Sequence, residues 1–67
     1  MKHIERMEVE LKELKEKIEK GWEFLNREID SPKFLDEQQR HGLHLQLMYM
    51  GNYAEVLEKR IAYDRKK

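Results

Sequence analysis

Gln46, Tyr49, Tyr53, Val56, Arg60 and Tyr63 step along the chain by three and four residues, the spacing that puts side chains on one face of a helix. Several of these residue types carry usable chemistry. A tyrosine ring offers a flat face for stacking on a base and a hydroxyl to donate. The Arg60 guanidinium is a planar fork matched to phosphate, and it also stacks. Gln46 both donates and accepts, as reading a base edge requires. The same composition fits a subunit interface, where Tyr and Arg are enriched. Both uses hold together if a ligand lies between subunits, where pockets commonly form.

Other chemistry finds little support. His41 and His44 are three apart, but no carboxylate stands at a matching spacing and there is no cysteine, so no metal site is expected. Ser31 is the one hydroxyl besides the three tyrosines, and it precedes Pro32; a nucleophile there lacks a base and an oxyanion hole. Gly21, Gly42 and Gly51 are isolated and make no phosphate-binding loop. An enzyme is therefore not expected, and no cofactor is called for. Trp22 falls in an apolar register and reads first as a core or interface anchor. Arg40 lies in the first turn of a helix, where a cation opposes the dipole, which favours an anion or an acidic neighbour as its partner.

Two long helices must position these residues. Residues 2–29 contain no proline and are built mainly from Glu, Lys, Leu, Ile and Met, most of them good helix formers. Ile4, Leu11, Ile18 and Leu25 recur every seven residues, with Met7 and Leu14 three after the first two, a heptad seam. Glu8–Lys12, Glu13–Lys17 and Glu16–Lys20 are spaced for ion pairs along a solvated face. Gly21 and Glu28 take the next seam positions, so the apolar contact is expected to shift to Trp22 and Ile29. Asp30-Ser31-Pro32 ends the helix, and Ser31-Pro32 has the chemistry to open a short helical turn. Asp36 with Gln39 three later has the pattern of a capping box. From Asp36 to about Arg65, Leu43, Leu47, Met50, Ala54, Leu57 and Ile61 step by four and three. The fold class is all-α: an antiparallel hairpin of helices at about 2–29 and 36–65, in a single domain spanning 1–67.

A chain of 67 residues with 39% hydrophobic and 42% charged residues has little material for a core. With no cysteine for a disulfide, a partner subunit is the remaining support. The Tyr/Arg stripe, widened by Leu45 and Met48, exceeds the arc one partner helix covers, so assembly into a helical homo-oligomer is expected. Fourteen basic residues balance fourteen acidic ones, which argues against duplex nucleic acid despite the short basic tail of Arg65, Lys66 and Lys67. No apolar run approaches the roughly 20 residues that span a bilayer, and no signal peptide is visible. A cytoplasmic location is expected.

One set of residues carries a resemblance: Leu14, Ile18, Phe24-Leu25, Ser31-Pro32-Lys33-Phe34 and Gln38-Gln39, followed by Leu43, Gln46, Met50, Tyr53, Leu57 and Arg60-Ile61. Over nearly its whole length the chain resembles the small phage helical-hairpin proteins first known from crAss-like phages. More distantly it is similar to the hairpin domain of phage nucleotide sponges that counter CBASS and Thoeris defence. The resemblance implies a phage counter-defence protein in the cytoplasm of an infected bacterium. Such a protein binds a cyclic oligonucleotide or a cyclic ADP-ribose isomer between subunits and does not cleave it. In that reading Tyr49 and Tyr53 stack on bases, Arg60 and Arg40 hold phosphates, Gln46 reads an edge and Trp22 walls the pocket. The other class of reading is a small helical adaptor or inhibitor that binds a host or phage protein through the same stripe.

Overall fold

The computed structural model describes residues 2–66; Lys67 of the basic tail lies outside them. Helix α1 spans Lys2–Asp30 and helix α2 spans Glu37–Lys66, each within one residue of the expected bounds. They fold back on each other as a rod of 48 × 15 × 13 Å. Its length is that of one helix of this size, about 45 Å at 1.5 Å per residue. Side-chain contacts mark the antiparallel register. At the open end His3 Nε2 lies 3.4 Å from Asp64 Oδ2, and in the middle Lys15 Nζ lies 2.6 Å from Glu58 Oε1. Glu8 meets Arg65 of α2 instead of serving only its own helix. These side chains are about half exposed, so they orient the pairing more than they stabilise it.

The core is a single seam. On α2, Leu47, Ala54, Leu57 and Ile61 are buried, with Leu43 and Met50 half-buried, which is the expected stripe. From α1 come Met7 and Leu25, flanked by half-buried Ile4, Leu11, Leu14 and Ile18. Leu25 and Leu57 are the most enclosed, at 1% and 0% exposed. Burying such a side chain contributes about 1.5–3 kcal/mol.

At the loop end the structure departs from the sequence expectation. The seam does not shift to Ile29, which is 61% exposed, but continues through Gly21 and Glu28. Gly21 holds its place because Leu47 lies over it: a Cβ there would stand 2.4 Å from Leu47 Cδ2. Glu28 is 3% exposed, and its Oε1 accepts the backbone N–H groups of Lys33, Phe34 and Leu35 at 3.2, 2.8 and 2.8 Å. A carboxylate inside the seam is tolerable because these three donors replace its water. They also consume the linker's amides, and the linker bends at residues 31, 33 and 34 without the short helical turn that Ser31-Pro32 has the chemistry to open. Asp36 then caps α2 as expected. Its Oδ1 accepts the Gln39 N–H at 2.7 Å, and Gln39 Oε1 accepts the Asp36 N–H at 2.9 Å.

Candidate functional site

Of the six candidate residues, Gln46, Tyr53 and Arg60 are seven apart and therefore share one line along α2, about 21 Å from end to end. All three are exposed. The core stripe places them: with Leu47, Ala54 and Ile61 turned to α1, the residue preceding each is rotated about 100° to the flank. Tyr49, 69% exposed, lies on the same side but turned farther from α1. Tyr53 reaches back to α1, and its hydroxyl donates to Glu10 Oε1. That bond, followed by desolvation and the Glu10 charge, pushes the Tyr53 pKa above the usual tyrosine value, while the nearby Arg60 charge pulls the other way. The ring is thus held at its far end with its sides open. It stands between a cation and a carboxylate.

The other two candidates lie elsewhere. Trp22 is half-buried and meets His44 edge-on, ring centres 5.4 Å apart at 79°. His44 is nine residues from Tyr53 and so about 180° around α2, which puts Trp22 on the opposite flank of the hairpin. Arg40 is half-buried at the loop, where its Nη1 donates to the Leu35 carbonyl at 2.7 Å. Its charge helps to hold the Glu28 carboxyl below the usual glutamate range, behind the larger effect of the Phe34 N–H. The acidic neighbour expected for Arg40 is Glu28. Arg40 and Arg60 are about 30 Å apart along the helix, so the two do not share a small ligand within one chain.

A groove of about 710 Å³ opens on the Trp22 flank over Leu11, Lys15, Glu58, Ile61 and Arg65. It contains none of the six candidates. Its rim charges already face one another, Lys15 with Glu58 and Arg65 with Glu8, so it reads as the cleft between the helices near their open end. Among the described residues no group of three His, Asp or Glu is placed to hold a metal ion. None of the described helices is long and apolar enough to cross a membrane.

The family described as Sequestin matches the chain over residues 1–63. The chain belongs to the Sequestin family. The match takes in α1, the linker, α2 as far as Tyr63 and every one of the six candidates. No curated protein and no solved structure matches the chain. For this Sequestin chain, sequence reasoning missed Glu10, which stands beside Tyr53 but reads in sequence as one more member of a solvated Glu/Lys face. The antiparallel register was the available signal, since pairing the two heptad seams brings Glu10 opposite the middle of α2.

Proposed function

We propose that the chain is a phage counter-defence protein that binds a cyclic nucleotide immune signal between subunits and sequesters it without cleaving it. Membership of the Sequestin family over residues 1–63 is the observation that carries this reading; the exposed row of Gln46, Tyr53 and Arg60 supplies its chemistry. Tyr53 and Tyr49 stack on bases, Arg60 pairs with a phosphate and Gln46 meets a base edge. Trp22 and Arg40 take part through a second copy of the chain, because within one hairpin they lie on another flank and at the loop. The protein acts in the cytoplasm of the infected bacterium, where such signals are made, and its relation to the crAss-like phage proteins belongs to this reading.

A melting-temperature screen against cyclic di- and trinucleotides and cyclic ADP-ribose isomers tests it. A ligand that binds only the folded state, at a hundredfold over its Kd, adds about 2.7 kcal/mol. For a domain of this size each 1 kcal/mol moves the midpoint by about 4–8 °C. A shift with one signal class supports sequestration and names the ligand. A flat screen, together with a stable protein partner in pull-downs, supports the adaptor reading, which the exposed Leu45, Met48 and Val56 favour.

A further inference from the structure

We propose that Lys17 of α1 is a ligand contact on the flank of Gln46 and Tyr53, where it holds a phosphate. The inference rests on the sequestering reading and adds to that site a cation from the other helix. Register places it. Two contacts between the helices bracket Lys17: the Tyr53 hydroxyl donates to Glu10, and Leu47 lies over Gly21. In an antiparallel hairpin, the part of α1 between Glu10 and Gly21 faces the part of α2 between Tyr53 and Leu47, and Lys17 falls within it. Lys17 also stands seven residues after Glu10, so it shares the line of Glu10 along α1 and rises on the flank where Tyr53 lies. Gln46 directly precedes Leu47 on that flank. About 10 Å of helix separates Gln46 from Tyr53, with half-buried Met50 on the seam between them. Lys17 stands across this gap, and its long flexible stem can carry the ammonium over it.

Charge singles it out. Among the described residues Lys15 pairs with Glu58, Lys59 with Glu55 and Arg65 with Glu8, and His3 meets Asp64. Lys17 is exposed and in none of these pairs, although Glu13 stands one turn before it at the spacing for one. The line it occupies on α1 holds His3, Glu10, Lys17 and Phe24, so it is the one lysine or arginine there. Glu10 sets the orientation. A carboxylate beside Tyr53 repels phosphate and accepts donors, such as a ribose hydroxyl or a base amino group. A base stacked on Tyr53 therefore directs phosphate away from Glu10, toward Lys17 on one side and Arg60 on the other.

Calorimetric titration at several salt concentrations tests this, with the cyclic di- and trinucleotides and cyclic ADP-ribose isomers of the melting screen as probes. For whichever probe the parent protein binds, Lys17→Gln should weaken binding about tenfold, the loss of one charge-assisted hydrogen bond. The remaining affinity should be less sensitive to salt, because one screened charge pair is gone. Lys17→Arg keeps the charge and should bind as the parent does. Lys12→Gln makes the same charge change at an exposed lysine lining the groove on the opposite flank, and should leave both affinity and salt dependence unchanged. Helical circular dichroism of the ligand-free variants should match the parent, since neither lysine is in an ion pair. Equal affinity and salt dependence for the parent and Lys17→Gln, or an equal loss in Lys12→Gln, would overturn this inference and leave the sequestering reading standing. A parent protein that binds none of the probes would overturn both.

Discussion

The Tyr53 hydroxyl donates to Glu10, and that bond keeps its proton on. A tyrosine whose folded pKa lies above its unfolded value contributes stability that is present below about pH 10 and lost as pH rises through the folded value. Glu10→Gln should therefore bring the Tyr53 ionisation down toward the ordinary tyrosine value, followed by phenolate absorbance. A titration identical to that of the parent protein would mean the hydroxyl does not depend on Glu10. Glu28 works in the opposite sense. The Phe34 N–H, with those of Leu35 and Lys33 and the Arg40 charge, holds its pKa down against the effect of its own burial. Its contribution is present above about pH 4.3, the unfolded glutamate value, and disappears as pH falls through the lower folded value. Glu28→Gln should lower the melting temperature at neutral pH and flatten its fall through the carboxylate range. Superimposable melting profiles for variant and parent would contradict the role given to Glu28. The Glu28 bonds were not legible in the sequence, because they run to an irregular linker about which periodicity carries no information. Glu10 reads in sequence as one more member of a solvated Glu/Lys face, although the antiparallel register brings it opposite the middle of α2.

Within the helices, spacing carried nearly everything. The α2 stripe from Leu43 to Ile61 and the Asp36–Gln39 capping box are found where three- and four-residue steps and a local motif put them. The one misreading was at the end of α1. Strict heptads pointed to Gly21 and Glu28, and polarity argued against both. Close approach of Leu47 and the linker's amides overrode polarity. Trp22, expected as a core or interface anchor, is half-buried beside His44, and its flank depends on how the two seams mesh, which a single helix does not specify. The glycines separate packing from propensity. Nothing stands within 4 Å of where a methyl group on Gly51 would lie, so Gly51→Ala should stabilise by about 1 kcal/mol through helix propensity alone. Gly21→Ala makes the same propensity gain but presses on buried Leu47, and overpacking costs about 1–3 kcal/mol. Chemical denaturation should place Gly51→Ala above the parent and Gly21→Ala at or below it. Equal gains at both positions would show that Leu47 yields freely.

Taken as a rod 48 Å long and about 15 Å across, the molecule has two unlike sides. The outer side of α1 is charged, and the outer side of α2 carries exposed Leu45, Tyr49, Val56 and Tyr63. Among the described residues a single hairpin buries only Met7, Leu25, Leu47, Ala54, Leu57 and Ile61 of its apolar side chains, a small core for a chain that stands alone. The row of Gln46, Tyr53 and Arg60 borders the apolar side and is open to solvent along its length. A ligand held there has one wall from each chain only when two chains meet. The sequestering role is tested most directly by calorimetric titration of the parent protein and Arg60→Ala with the nucleotide that shifts the melting point. The bound ligand is afterwards released by heat and checked by chromatography. The expected result is saturable binding by the parent, recovery of the intact nucleotide, and a loss of about 10- to 150-fold in affinity for Arg60→Ala, the worth of one charge-assisted hydrogen bond, with its sedimentation mass unchanged. Equal affinity in the two proteins, or recovery of a cleaved nucleotide, would contradict it.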